Sequence, residues 1–244
     1  MKKIKQKKIS NGVKFDILTI FPNALDSYFN SSILDKAQKN RLITIKTHDI
    51  RQASTDKRHT VDDKPYGGGP GMVLQIEPVY KTLKKVYPHF RQGSRGQVNK
   101  NKLVRVILLS PRGKTFTQNE TKRLVKYRRL ILIAGHYESI DARMEKLVDE
   151  TISLGNFVLT GGELAAACII DSVARLVPGV VGKIASVREE SFSVFDKNSK
   201  KFNVEYPQYT RPPVFQGLKV PKVLLSGHHG EIKKWREGQS KSRK

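Results

Sequence analysis

Val104-Arg105-Val106-Ile107-Leu108-Leu109 and Leu130-Ile131-Leu132-Ile133-Ala134 are short, almost unbroken apolar runs, and helical spacing fills the residues from Gln118 to Lys126 between them. A strand with one face in water alternates apolar and polar side chains, whereas a strand covered on both faces has no such need. The two runs therefore read as parallel strands joined through a crossover helix. Lys14 to Ile20 begins the chain in the same manner. Asp26 to Lys39 follows as a helix, with Leu25, Phe29, Ile33 and Ala37 on one stripe, and Leu42 to His48 alternates like a half-exposed strand. Glu77 to Val86 and Glu163 to Leu176 read as further helices, the second with Leu164, Cys168, Val173 and Leu176 near one stripe and Pro178-Gly179 as its stop. The expected fold is α/β, a parallel sheet with helices on both faces.

This domain is expected over 14–182, behind a basic extension at 1–13. The charged stretch 183–201 reads as a linker, and 202–244 as a small, mainly helical C-terminal domain that binds nucleic acid. Gln92 to Lys102, rich in glycine and basic residues, reads as a mobile surface loop. The formal charge of +24, from 46 Lys and Arg against 22 Asp and Glu, exceeds what solubility needs and suits a polyanionic partner. No apolar run approaches the roughly 20 residues that spanning a membrane requires, so no membrane partner is expected. The leader MKKIKQKK meets Ser10-Asn11-Gly12 rather than an apolar signal core, which points to the cytoplasm. One cysteine, Cys168, excludes a disulfide framework within the chain and reads as a small buried residue.

Several nucleotide motifs fail on inspection. Gly113-Lys114-Thr115 resembles the end of a phosphate-binding loop, but Leu108 stands where the cradle needs its first glycine. Phe21-Pro22-Asn23 after the first strand excludes the common dinucleotide fingerprint. His228-His229 reads as a helix start or a phosphate contact, because adjacent helical side chains diverge by about 100°. Three glycine-bearing segments remain just beyond the strand ends, where open α/β sheets bind ligands: Ser110 to Gly113, Gly135 to Glu138, and Leu154 to Glu163. Glycine there lets the backbone approach a flat ligand such as adenine.

Asp62-Asp63-Lys64-Pro65-Tyr66-Gly67-Gly68-Gly69-Pro70-Gly71-Met72, the Leu154 to Glu163 segment, Tyr206-Pro207-Gln208-Tyr209-Thr210-Arg211-Pro212 and Leu224-Leu225-Ser226-Gly227-His228-His229 occur in this order. Together they resemble the signatures of the bacterial tRNA (guanine-N(1))-methyltransferases, the TrmD family within the SPOUT superfamily, from about Phe15 to Trp235. The resemblance implies a trefoil-knotted sheet that holds S-adenosylmethionine (S-adenosyl-L-methionine) in a bent form. By similarity, the donor would meet Pro111, Gly135, Tyr137, Glu138, Leu154, Gly155, Asn156, Phe157, Val158 and Leu159, with Gly161 and Gly162 shaping the pocket. It also implies a homodimer whose active sites are completed by the partner subunit, with the Asp62 to Met72 loop lining the pocket or the interface.

The implied reaction is methylation of guanine ring nitrogen 1 at tRNA position 37, immediately 3′ of the anticodon. That nitrogen carries a proton, so the site needs a base and a group that stabilises charge on the guanine oxygen. Glu190 stands before Ser191-Phe192, where the family usually has an aspartate, and is the expected base, with Glu189 as the alternative; Arg175 is the expected charge stabiliser. Ser186 and Arg211 are the expected tRNA contacts, the latter because its fork suits phosphate. Magnesium enters through the resemblance alone, since no acidic cluster in the sequence demands a metal. A SPOUT enzyme for another RNA position and a catalytically impaired tRNA-binding relative are the alternatives.

Overall fold

A computed structural model describes residues 12–90, 103–182, 190–192, 195–196 and 201–243. The chain divides into two compact units, Met1–Gly182 and Lys183–Lys244. The expected surface loop at Gln92 to Lys102 lies outside the described residues, as do Ser186 and much of the expected linker.

The first unit runs β1 (Val13–Thr19), α1 (Asp26–Phe29), α2 (Ser32–Lys39), β2 (Ile43–Asp49), β3 (Asp62–Asp63), β4 (Val73–Leu74), α3 (Ile76–Val86), β5 (Val104–Thr115), α4 (Gln118–Leu124), β6 (Arg129–Ala134), β7 (Ser139–Ile140), β8 (Glu150–Ser153) and α5 (Glu163–Ala174). Its main sheet has the order β2-β1-β6-β5-β8, and every neighbouring pair is parallel. Side chains alternate between two cores. Phe15, Ile17, Ile107, Leu109, Leu130 and Leu132 pack with Leu34, Leu124, Ile169, Ile170 and Val173. Leu18, Val106, Leu108, Ile131 and Ile133 face the opposite way, toward Val79 and Leu83 of α3. Both faces of the central strands are thus covered, which is why their sequences lack a polar alternation.

Two helices depart from the sequence reading. The helix expected over Asp26 to Lys39 breaks after Phe29, where Ser31 is extended and its hydroxyl donates to the Tyr28 carbonyl at 2.8 Å. Asparagine and serine side chains compete for backbone hydrogen bonds in this way. The break turns Leu34 into the core and leaves Ile33 exposed. In α5 the expected stripe is right at Val173 and wrong at Leu164 and Cys168. Ala165, Ala166, Ile169, Ile170 and Val173 are buried, whereas Leu164 and Cys168 face outward. The helix is apolar on more than one side, and its small residues allow the closer approach to the sheet. Cys168 is therefore exposed in this chain, not buried as its apolar neighbours suggested.

The second unit contains the antiparallel pairs formed by β9 (Phe195–Asp196), β10 (Lys201–Val204) and β13 (Lys241–Arg243), and the hairpin of β11 (Val214–Phe215) and β12 (Leu218–Lys219). Its helices are α6 (Lys222–Leu225) and α7 (His229–Gln239), and His228 is the N-cap residue of α7, as the helix-start reading of the histidine pair required. No helix among the described residues is long and apolar enough to cross a membrane.

One charge is buried in the main sheet. Asp16 of β1 accepts hydrogen bonds from His48 Nε2 at 2.6 Å and Arg129 Nε at 2.7 Å, and Arg129 also donates to the Val86 carbonyl at 3.1 Å. Burial pushes the Asp16 carboxyl pKa up, but the His48 and Arg129 bonds outweigh it and hold the group below its ordinary value. A carboxylate with a depressed folded-state pKa contributes stability that is complete above its unfolded value and is lost as pH falls through the depressed one. Asp16→Asn should therefore destabilise the protein by about 3 kcal/mol at neutral pH, because it strands Arg129. Denaturant titrations should show that gap shrinking as the pH is lowered; a gap independent of pH would reject the assignment.

Candidate active site

The ligand-sized feature of the first unit lies at the carboxyl ends of β5, β6 and β8. Leu109 and Lys114 of β5 both pair with Ile152 of β8, so Ser110-Pro111-Arg112-Gly113 is looped out of the ladder between them. Gly113 permits this crossing, since a Cβ there would lie 2.5 Å from the Ile152 nitrogen. That contact explains the glycine which, in the sequence, mimicked a phosphate loop. Lys114 instead binds Glu120 at 2.6 Å.

The chain that leaves β8 returns across the end of β6. Gly162 N donates to the Gly135 carbonyl at 2.7 Å, and Gly161 bridges His136. A Cβ on Gly162 would stand 2.8 Å from the Ala134 Cα and 2.9 Å from the Gly135 nitrogen, so backbone packs directly on backbone. The three glycine-bearing segments thereby enclose one cavity of about 300 Å³. Pro111, Gly135, Tyr137, Glu138, Leu154, Gly155, Phe157, Val158, Leu159, Gly161 and Gly162 line it. Asn156 is exposed and is not among the lining residues. Phe157 and Val158 are exposed as well, at the lip.

Next to the cavity stand Glu163 and His136, to which the sequence reading gave no role. Glu163 opens α5 and is buried; it accepts from the Thr19 hydroxyl at 2.6 Å, while its other oxygen stands 3.8 Å from His136 Nδ1. That nitrogen is buried and has no hydrogen-bond partner among the described residues. Tyr137 adopts the left-handed conformation with φ +59°, which is costly for a residue with a side chain and concentrates at functional sites. Ile140 and Val73 reach the cavity because β7 pairs with β4, a contact between residues far apart in sequence that no local pattern announces.

The Asp62 to Met72 loop is anchored beside this wall. Glu138 N donates to the Met72 carbonyl at 3.1 Å, and a Cβ on Gly71 would meet Glu138 Cγ at 2.4 Å. Tyr66 at the tip is fully exposed.

Arg175 is exposed at the C-cap of α5, while the cavity lies at the opposite end of that helix. Twelve helical residues span roughly 18 Å, beyond the reach of one arginine side chain. Glu190 belongs to the second unit and is half-buried; the next residue, Ser191, accepts from Glu205 N at 3.0 Å through its hydroxyl, which ties the turn to the start of the Tyr206 to Pro212 motif. Arg211 is exposed in the same unit.

The family model described as tRNA (Guanine-1)-methyltransferase TrmD matches residues 13–244. The chain belongs to the TrmD family. A tRNA (guanine-N(1)-)-methyltransferase of Desulforamulus reducens is 46% identical over 231 residues, covering 93% of this chain and 84% of that relative. Its counterpart in Clostridium novyi is 49% identical over 230 residues, with 93% and 86% covered. The crystal structure of the tRNA (m1G37) methyltransferase from Aquifex aeolicus superposes with a TM-score of 0.71 at 35% identity, over 92% of this chain and 88% of that one. TrmD membership accounts for the order and spacing of the glycine segments. Among the described residues no group of three or more His, Cys, Asp or Glu could hold a metal ion, so magnesium finds no protein cage among them.

Gly162→Ala tests the backbone contact on which the cavity depends. Overpacking at this contact should lower unfolding stability by about 2 kcal/mol in a denaturant titration. A variant as stable as the parent would show that the two segments separate at no cost.

Proposed function

We propose that this TrmD-family enzyme transfers a methyl group from S-adenosylmethionine to ring nitrogen 1 of the guanosine at tRNA position 37, as a homodimer in the cytoplasm. The observation that carries the reading is the convergence of the three glycine-bearing segments on one cavity at the sheet's carboxyl end. Its volume of about 300 Å³ falls at the lower end of the range for small-molecule sites. The donor fits these residues: the backbone at Gly135, Gly155, Gly161 and Gly162 approaches without side chains, and the buried His136 nitrogen offers an unused polar atom. The return of the chain from β8 across β6 supports the knotted topology of SPOUT enzymes.

When bound, S-adenosylmethionine supplies an electrophilic methyl group. The protein's part is to hold it, exclude water and make the guanine nucleophilic. Pro111, Tyr137, Glu138, Leu154, Gly155, Phe157, Val158 and Leu159 form the walls of the cavity. Glu190 takes the proton from guanine nitrogen 1, and the Arg175 guanidinium stabilises the negative charge that moves onto the guanine oxygen. Arg175 lies at the far end of α5 from its own chain's cavity, so in this reading it serves the cavity of a second copy. That requirement supports the homodimer. Ser186 and Arg211 contact the tRNA, and the net charge of +24 draws the phosphate backbone in.

The test is methyl incorporation from labelled S-adenosylmethionine into unmodified tRNA transcripts with guanosine or adenosine at position 37. Incorporation into guanosine alone, mapped to nitrogen 1, is expected. Donor and tRNA binding without incorporation would instead fit a catalytically impaired relative. Glu190→Gln should lower transfer at least about 100-fold, in line with the worth of a general base, while donor affinity by calorimetry stays within about twofold. Full activity in that variant would place the base elsewhere, with Glu189 the next residue to replace.

A further inference from the structure

The second unit contains a cavity of its own, of about 650 Å³, whose walls differ in kind from those of the donor cavity. One wall is the extended Tyr206 to Pro213 segment; the other is α7, which presents Ile232, Trp235 and Arg236 at helical spacings of three and four. Pro207, Pro212 and Pro213 restrict the extended wall, so the platform is stiff before anything binds. Val220, Leu224 and Ile232 supply an apolar floor.

Three aromatic rings and two cations line this space, and none of its lining residues is acidic. The Arg236 guanidinium lies over the Tyr206 ring, 4.9 Å from its centroid. The Tyr209 and Trp235 rings are 6.2 Å apart and inclined at 58°, so they do not stack face to face and leave π-surface available to a guest. Among the described residues Arg211 makes no ion pair. Flat rings beside unneutralised guanidinium groups fit a planar, anionic polymer unit, and an unpaired nucleotide is that unit. A purely apolar peptide would leave both arginines without a role.

We propose that this cavity stacks one unpaired base of the tRNA against Trp235 and Tyr209, with the adjacent phosphates on Arg211 and Arg236. The inference rests on tRNA being the substrate, and it assigns to the second unit a specific grip on single-stranded nucleotides rather than a general attraction to phosphate.

Trp235 is the single tryptophan of the chain, so its fluorescence reports on this cavity without substitution. The full-length protein is titrated with unmodified tRNA, with an anticodon stem-loop RNA, and with a fully paired duplex of equal length and charge. Saturable quenching by the first two, at concentrations at least about tenfold lower than any produced by the duplex, is expected. Trp235→Ala should raise KM for tRNA about tenfold, the usual worth of one stacked base. The effect should fall on KM rather than kcat and leave S-adenosylmethionine affinity unchanged, and Trp235→Phe should restore most of the loss. Equal quenching by the duplex would reduce the cavity to a phosphate contact and overturn the proposal. So would tRNA binding that leaves the fluorescence untouched, or a KM within twofold of the parent in the alanine variant. Quenching without methyl transfer would keep this site and reject the proposed reaction, whereas transfer with an indifferent Trp235 would do the reverse.

Discussion

Backbone meets backbone at the carboxyl end of β6, where Gly162 lies against Ala134 and Gly135 with no room for a methyl group. The chain that leaves the edge strand β8 must come back over the middle of the sheet, and this contact is where it lands. From it follow the cavity, the start of α5 and the placement of Glu163 beneath His136. The hydrogen bond from Gly162 N to the Gly135 carbonyl satisfies two groups that the crossing would otherwise bury unpaired. A fold whose ligand site is built from such a crossing has its binding surface and its topology in one place.

Much of this was legible in the residues. The unbroken runs at Val104 to Leu109 and Leu130 to Ala134 announced strands covered on both faces, and the two cores bear that out. Glycine at 135, 155, 161 and 162 marked the loops that gather at the cavity. What local pattern did not carry was the choice between competing stripes and the partners of distant segments. α5 is apolar on two sides, and only the sheet it packs on decides that Ile169 and Ile170 go in while Leu164 and Cys168 stay out. Asn30-Ser31 held a signal for a helix break that the longer spacing of Leu25 to Ala37 obscured. Ile140 and Val73 enter the cavity through a two-residue pairing, too short to leave a mark in the sequence. The roles proposed for Glu190, Arg175, Ser186 and Arg211 came through family resemblance, and no spacing rule would have assigned them.

The two units differ in kind of surface. The first presents glycine-lined backbone around a cavity, suited to one small ligand held closely. The second presents aromatic rings, prolines and unneutralised arginines, suited to a flexible polymer held at several points. Each solution follows from composition: close approach needs the absence of side chains, and grip on a mobile strand needs stiff, flat ones.

The looped-out Ser110 to Gly113 segment has both of its stems on the same residue of the neighbouring strand, since Leu109 and Lys114 each sit opposite Ile152. A loop rooted at a single rung is geometrically closed at its base whatever its length. Residues could be gained or lost at Pro111 and Arg112 without shifting the pairing before or after them, so this wall of the cavity is a replaceable module, free to be reshaped while the sheet beneath keeps its register.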